Sequence, residues 1–255
     1  METWRLLDVE YPSNAGLNLA IEEALLRRTA EGKGLPIVRF WRNKSAVVIG
    51  YSQCVEAEVN LELCRIRGVE VVRRITGGGA VYHDLGNLNY SVVIRSDHPL
   101  MKDLDIQESY SVFLSGVIEC LKKFGVNPSI DPTNSLLVRD RKISGNAQVR
   151  KRGTILHHGT ILINSDLNLL SEVLKPPSRS SPKRGVSSKR RPVTNLSDEI
   201  NQRVSVQDVK ESLRRSFEEI FSVKLTCSTL TSEEMEAARI LYDEKYSRRE
   251  WNFWR

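Results

Sequence analysis

The sequence predicts an α+β fold, a mixed β-sheet flanked by helices. Three observations carry that expectation. Short apolar, β-branched runs cluster through the middle of the chain. Stretches with apolar residues at helical spacing fall between groups of these runs. Strands and helices do not alternate one for one, as a parallel doubly wound sheet would require.

Trp4 to Val9 reads as a first strand. Residues 15–30 read as a helix, because Leu17, Ala20, Ile21, Ala24 and Leu25 recur at three- and four-residue spacing. Pro36 to Trp41, Ala46 to Ile49, Val69 to Arg74 and Asn89 to Arg95 read as short strands. A helix follows over 107–124, with Tyr110, Phe113, Val117 and Leu121 on one face and Gly125 at its stop. Ser135 to Arg139 and Lys142 to Gln148 flank the turn Arg139-Asp140-Arg141, and Thr154 to Ile163 is a long strand. Asp166 caps a short helix running to Leu174. Pro176 to Thr194 is a polar loop rich in Pro, Ser, Lys and Arg, a composition that predicts mobility without ligand. Helices over 205–221 and 231–246 close the chain, and no internal repeat is visible.

A length of 255 residues fits one large domain, or a domain with a small appendage. No apolar run approaches a membrane span, and Met1-Glu2-Thr3-Trp4-Arg5 lacks the apolar block of a signal peptide. A cytoplasmic protein with no membrane partner is expected. Cys54, Cys64, Cys120 and Cys227 lie far apart and form no CxxC pair, which argues against a zinc site or a disulfide framework. The net charge of +6 favours an anionic partner without choosing among nucleotide, nucleic acid and acidic protein.

Four segments have a composition suited to chemistry. In Arg73-Arg74-Ile75-Thr76-Gly77-Gly78-Gly79-Ala80-Val81-Tyr82-His83, three glycines after a strand let backbone N–H groups approach an anion, with Arg74 beside them to hold phosphate or carboxylate oxygens. The same residues also suit a hairpin turn with a charged flank, and they form neither a Walker loop nor G-x-G-x-x-G. Lys142-Ile143-Ser144-Gly145-Asn146-Ala147-Gln148 places a lysine on or beside a strand, where it would bridge a carboxylate and an α-phosphate, while Gly145 and Ala147 leave room for a ligand. A solvated surface lysine is the plain alternative. His157-His158-Gly159-Thr160 puts adjacent histidines on opposite faces of a strand, so the two cannot ligate one metal, and His83 makes a third candidate. Finally, the stretch from Lys175 to Ser197 carries seven cations before Pro192, including Lys183 and Arg191, and would fold over a ligand as a lid. It contains no aromatic residue, which argues against nucleic-acid stacking.

Together these segments resemble the lipoate–protein ligase A family, from Asn18 to Asn252. Asn18-Leu19-Ala20-Ile21-Glu22-Glu23-Ala24-Leu25 is similar to the family's first helix, and Trp41 to Gln53 to its adenine-side strand. Arg-Arg-x-x-Gly-Gly-Gly-x-Val-x-His-Asp-x-Gly-Asn from Arg73 is the most specific signature. Lys142-Ile143-Ser144-Gly145, His158-Gly159-Thr160, Val193-Thr194-Asn195-Leu196 and Glu250-Trp251-Asn252-Phe253 follow in the family's order.

The resemblance implies the biotin/lipoate–protein ligase fold, which is class II synthetase-like, and formation of lipoyl-AMP from lipoate and MgATP. Transfer to a lysine would follow, on the lipoyl domains of 2-oxoacid dehydrogenases or on glycine-cleavage H protein. Lys142 would be catalytic. Arg74, Gly77, Gly78, Gly79, Ala80, Val81, Tyr82, His83, Asn89, Asn134, Gly145, Ala147, His158, Gly159 and Thr160 would bind substrate and ATP. Lys183, Gly185 and Arg191 would belong to a mobile adenylate-binding loop at about 175–195.

Two departures stand out. Asn134-Ser135 replaces the family's Asn-Asp, which puts a magnesium or ribose contact there in doubt. The sequence also stops at Arg255, where many ligases continue into a C-terminal accessory domain, so a separate small accessory subunit is expected. The nearest rival is an octanoyltransferase or lipoyl amidotransferase of the same superfamily, which needs a nucleophilic cysteine; Ile130-Asp131-Pro132-Thr133-Asn134-Ser135 has none. A biotin ligase's Gly-Arg-Gly-Arg type of signature is absent. From another class, the chain would be a non-catalytic nucleotide or RNA binder.

Overall fold

The computed structural model describes residues 1–32, 34–175, 186–189 and 191–254. In chain order the elements are β1 (Glu2–Asp8), α1 (Ala15–Ala30), β2 (Ile37–Trp41), β3 (Ser45–Ile49), α2 (Val55–Glu58), α3 (Leu61–Arg67), β4 (Glu70–Arg73), β5 (Val81–Asp84), β6 (Asn87–Arg95) and α4 (Ile106–Lys123). There follow β7 (Ser129–Ile130), β8 (Leu136–Val138), β9 (Arg141–Ser144), β10 (Asn146–Lys151), β11 (Thr154–Leu162), α5 (Leu167–Val173), α6 (Leu196–Ile200), α7 (Val206–Phe221), β12 (Val223–Ser228), α8 (Ser232–Leu241), a π-helical turn (Tyr242–Tyr246) and α9 (Arg249–Asn252).

The main sheet has the order β10-β11-β6-β2-β1-β12 and is mixed: β1 runs parallel to β2 and β12, and the other pairs are antiparallel. Strand periodicity explains how helices cover both faces. On β6, Tyr90, Val92 and Ile94 join a core with Phe113 and Val117 of α4 and Phe217 of α7. Val93 points the other way, into a core with Leu19, Ile21 and Leu25 of α1 and Ala238 of α8. Two small sheets, β4-β3-β5 and β7-β8-β9, sit beside this layer and bring in the glycine run and the Lys142 hairpin. Among the described residues, no helix is long and apolar enough to cross a membrane.

The expected α+β architecture is present, with local differences: α2, α3 and α6 fall in stretches where no element is expected, and three further changes alter the sheets and the last helix. Lys142 to Gln148 is not one strand. It breaks at Gly145, with β9 pairing in the small sheet and β10 in the main sheet. The break is stabilised by Thr160, whose N–H donates to the Gly145 carbonyl at 3.0 Å and whose hydroxyl accepts from Gly145 N–H at 3.1 Å. The stretch between the closing helices forms an edge strand, β12, parallel to β1. The last expected helix, 231–246, is α-helical only to Leu241 and then widens into the π-helical turn. Part of the expected mobile loop, including Lys183 and Gly185, lies outside the described residues.

Candidate functional site

The glycine run crosses from β4 to β5 beside the end of β3. Gly78 has φ +85°, a conformation that side chains disfavour, and a Cβ there would sit 3.0 Å from Arg74 Nη2. A Cβ on Gly50, at the end of β3, would collide with the Gly78 carbonyl, so two glycines let the strands' loops touch.

Arg74 holds this shape from inside. Its Nε donates to Thr76 Oγ1 at 2.9 Å and to the Gly77 carbonyl at 3.1 Å, its Nη1 to the Val48 carbonyl at 3.1 Å, and its Nη2 to the Gly77 and Gly79 carbonyls at 2.6 and 2.8 Å. Burial lowers its pKa to about 10. The neighbouring Arg73 is fully buried and donates to the carbonyls of Gly50, Tyr51, Gln53, Trp251 and Asn252. Asn252 Oδ1 accepts Arg73 N–H at 2.9 Å, so the Trp-Asn motif closes the outside of this wall.

The opposite wall is the Lys142 hairpin. Arg139 and Asp140 have φ of 48° and 63°, the two positive values of a tight hairpin turn, and so aim β9 back along β8. Lys142 N–H donates to the Pro192 carbonyl at 2.7 Å, and Thr194 N–H to the Lys142 carbonyl at 3.0 Å. The Lys142 ammonium makes no hydrogen bond among the described residues. It lies over Gly145, where a Cβ would meet Nζ and Cε at 2.7 Å. Burial pulls its pKa down to about 8; the Asp131 carboxylate opposes that shift, while Arg74 and Arg191 add to it.

Asp131 stands four residues before the Ser135 that replaces the family's Asp. Its Oδ1 accepts from Thr133 N–H, Thr133 Oγ1 and Ser135 N–H at 2.8, 2.7 and 2.9 Å, and its Oδ2 pairs with Arg191 Nε at 3.1 Å.

The two histidines of β11 part as the strand period requires. His157 faces α4 and stacks on Phe113, with ring centroids 4.6 Å apart. His158 faces the site: Nε2 bonds Thr76 Oγ1 at 2.8 Å and Nδ1 bonds Glu22 Oε2 at 2.9 Å, while Ser91 Oγ donates to the same carboxylate. Burial raises the Glu22 pKa, but electrostatic attraction to His158 and the hydrogen bonds of His158 and Ser91 outweigh it, and the net shift is downward.

His83 accepts from Asn43 Nδ2 at Nδ1, 3.2 Å away, which puts the ring hydrogen on Nε2. Burial drives its pKa to about 3, so it is neutral. Among the described residues, His83 Nε2 and Asn89 Nδ2 are buried donors without a partner, and both residues line the cavity.

These walls enclose a cavity of about 300 Å³. Apolar lining comes from Leu19, Trp41, Val48, Val81, Leu162 and Leu170, and cationic lining from Arg74, Lys142, Lys189 and Arg191. No Asp, Glu or Cys lines it among the described residues. Of the residues that the resemblance assigns to substrate and ATP, Gly78, Gly79, Ala80, Val81, Tyr82, His83, Asn89, Gly145, Ala147, His158, Gly159 and Thr160 line it. Gly77 and Asn134 do not. Gly77 gives its carbonyl to Arg74, and Asn134 gives its own to Asn146 Nδ2.

Glu22, Thr76, Asn146 and Trp41 escaped the residue-level reading. A signal existed for Glu22: with Asn18 it sits one helical turn apart within a largely apolar stretch, and both, like the adjacent Glu23, are out of water. Cys64 and Cys120 are buried, Cys54 immediately precedes α2 and Cys227 is exposed on β12. Among the described residues, no group of three His, Cys, Asp or Glu side chains is placed to hold a metal ion. With no acid among the described residues of the cavity wall and Asp131 saturated by donors, that lining does not fit a resident magnesium ion.

The sequence profile of the lipoyl protein ligase A/B catalytic domain matches residues 14–218. Lipoate-protein ligase A subunit 1 of Thermoplasma acidophilum is 37% identical over 258 residues, covering 97% of this chain and 95% of that protein. Octanoyltransferase LipM of Brevibacillus brevis is 34% identical over 276 residues, covering 99% of each. A lipoate-protein ligase A bound with ATP superposes with a TM-score of 0.85 at 37% identity, over 99% of both chains. A chain from the structural analysis of a T. acidophilum lipoylation system, described as a bi-partite lipoate protein ligase and its E2 lipoyl domain, superposes equally well at 35% identity, covering 99% of this chain and 97% of that one. Glycine run, lysine hairpin and paired histidines thus occur within a likeness that spans the chain, and the protein belongs to the lipoyl protein ligase A/B catalytic-domain family.

Proposed function

We propose that this chain activates lipoate with ATP and transfers the lipoyl group to a protein lysine. The observation that carries the reading is a cavity with four cations, an apolar lining, an unbonded ammonium and no acid or cysteine among its described residues. A carboxylate with an apolar tail and a polyphosphate together suit such a lining. In the first step a lipoate carboxylate oxygen attacks the α-phosphorus and pyrophosphate leaves. In the second, the acceptor lysine's amine attacks the acyl carbon and AMP leaves.

Lys142 is the group free to stabilise charge shared between carboxylate and α-phosphate as the mixed anhydride forms. His83 Nε2 and Asn89 Nδ2 offer neutral donors to ligand oxygens. Magnesium would enter on the phosphates of ATP, since the described lining residues supply no carboxylate for it.

The T. acidophilum relative is named as one subunit of a ligase, and its structure is described as bi-partite with an E2 lipoyl domain. By that likeness a small accessory subunit would complete activation, and lipoyl domains of 2-oxoacid dehydrogenases would be acceptors, with glycine-cleavage H protein a further candidate.

The test is pyrophosphate release from lipoate and ATP, followed by the mass shift of a lipoyl-domain acceptor, with and without a candidate small partner. Rescue of weak release by the partner is the expected result. The similarity to LipM favours a second reading, cysteine-dependent octanoyl transfer. Against it stands the cavity's lack of a cysteine. No pyrophosphate under any condition, together with acyl transfer lost in a single Cys→Ala variant, would establish that second reading.

A further inference from the structure

The return of the basic loop is fastened to the glycine run at one point. Ser188 is almost fully buried, and its hydroxyl accepts Gln53 Nε2 at 3.0 Å and Ala80 N–H at 3.0 Å. Its own N–H donates to Glu58 Oε1 at 3.1 Å, and Val186 N–H donates to the Ser52 carbonyl at 3.2 Å. The outgoing stem ends on the same residue, because Lys175 N–H donates to the Glu58 carbonyl at 2.9 Å. Both stems of the loop therefore converge on Glu58.

Gln53 is a rigid partner. It is fully buried, its Oε1 accepts Gly50 N–H at 2.9 Å, and its carbonyl is held by Arg73 at 2.8 Å. Gly79 makes the room: a Cβ on it would sit 2.8 Å from Ser188 Oγ and 3.1 Å from Ser188 Cβ. The third glycine of the run is thus needed to admit the serine as well as any ligand.

We propose that Ser188 is a positioning residue, a latch that seats the returning segment Val186 to Lys189 on the glycine run and shields the acyl adenylate from water. The proposal rests on the adenylate-forming reading of the cavity, which that segment lines. Loss of the latch leaves Gln53 Nε2 and Ala80 N–H without their partner and releases the segment. Water then competes with the acceptor amine for the acyl carbon, returning lipoate and AMP instead of the lipoyl protein.

Two readouts on Ser188→Ala test this. The first needs no lipoyl chemistry: trypsin cleavage after Lys189 in the ligand-free protein, followed by mass spectrometry, should be about fivefold faster than in the wild type. The second is the partition of preformed lipoyl-AMP between hydrolysis and transfer to a lipoyl-domain acceptor. The hydrolysed share should rise roughly tenfold, the scale of losing a buried hydrogen-bond acceptor. A purely structural defect lowers both products together and leaves that ratio unchanged. Gln53→Ala should shift the ratio the same way, and the double variant should go no further than the worse single one, because both remove one contact.

Unchanged cleavage and an unchanged ratio in folded Ser188→Ala would overturn the latch. Faster cleavage in a protein whose wild-type form fails to hold lipoyl-AMP would retain the latch and overturn the adenylate reading beneath it.

Discussion

The two cations that the sequence singles out, Arg74 and Lys142, face one cavity and do different work. Arg74 spends its Nε, one Nη1 hydrogen and its Nη2 group on Thr76 and the carbonyls of Val48, Gly77 and Gly79. Among the described residues, Lys142 spends only its backbone on hydrogen bonds, and its ammonium lies unbonded over Gly145. A charged side chain saturated by its own loop is architecture. One kept partly buried without a partner is available to a ligand, and it is held at a cost in desolvation. Substitutions that separate stability from rate can break this contrast.

The largest effect on rate is expected at Lys142. Lys142→Ala should slow lipoyl-AMP formation by roughly 10²–10³-fold, the scale of removing one preorganised charge contact, with little change in melting temperature. A correctly folded variant with near-normal activity would remove Lys142 from the chemistry. Arg74→Ala should do the reverse. It strands several carbonyls of the glycine run and should cost about 3 kcal/mol, a fall in Tm on the order of 10 °C, which thermal unfolding would measure. If Arg74→Ala unfolds no earlier than the wild type yet loses catalysis, Arg74 is a ligand contact and the contrast fails.

A smaller effect should follow from Gly145→Ala. The new methyl would meet the Lys142 ammonium at 2.7 Å and push it aside, and adenylation should fall about tenfold while the fold is kept.

A pH profile sharpens the same point. Burial places the Lys142 pKa at about 8, below the ordinary 10.5, so its protonated form is lost as pH rises through about 8. Adenylation should decline on that alkaline limb. The sign for stability is opposite: between about 8 and 10.5 the unfolded chain holds the proton that the folded chain has released, so this lysine's contribution to stability rises with pH. A limb near 10.5 would mean a solvated lysine.

Much of this architecture was legible before the fold was seen, for reasons particular residues show. The short β-branched run from Asn89 to Arg95 and the Tyr110, Phe113, Val117, Leu121 stripe are local signals, and both elements formed close to where expected. The change of sheet at Gly145 was not legible, because Thr160 causes it from fifteen residues away. Nor was β12, whose six residues fall between two strong helices and gain their partner only from β1 at the other end of the chain.

The site divides in the same way. Motifs pointed to His83, Lys142 and His158, but sequence cannot say which hydrogens a guanidinium has left to give. The sequence therefore offered Arg74 as an oxygen clamp, and the loop's own carbonyls claim most of its donors. The Glu22–His158 contact spans 136 residues, and no local pattern carries it.

The smallest effect is expected at the cysteines. Each single Cys→Ala change should leave acyl transfer within about twofold, since none of the four lines the cavity and no acyl-enzyme is needed. The most direct test of the whole account joins this expectation to the first. Lipoate-dependent pyrophosphate release is measured for the wild type, a cysteine-free variant and Lys142→Ala, under identical conditions with the small accessory partner present. Release by the cysteine-free protein and its loss in Lys142→Ala is the result predicted here; release that survives Lys142→Ala and disappears with the cysteines, in proteins shown to be folded, would contradict it.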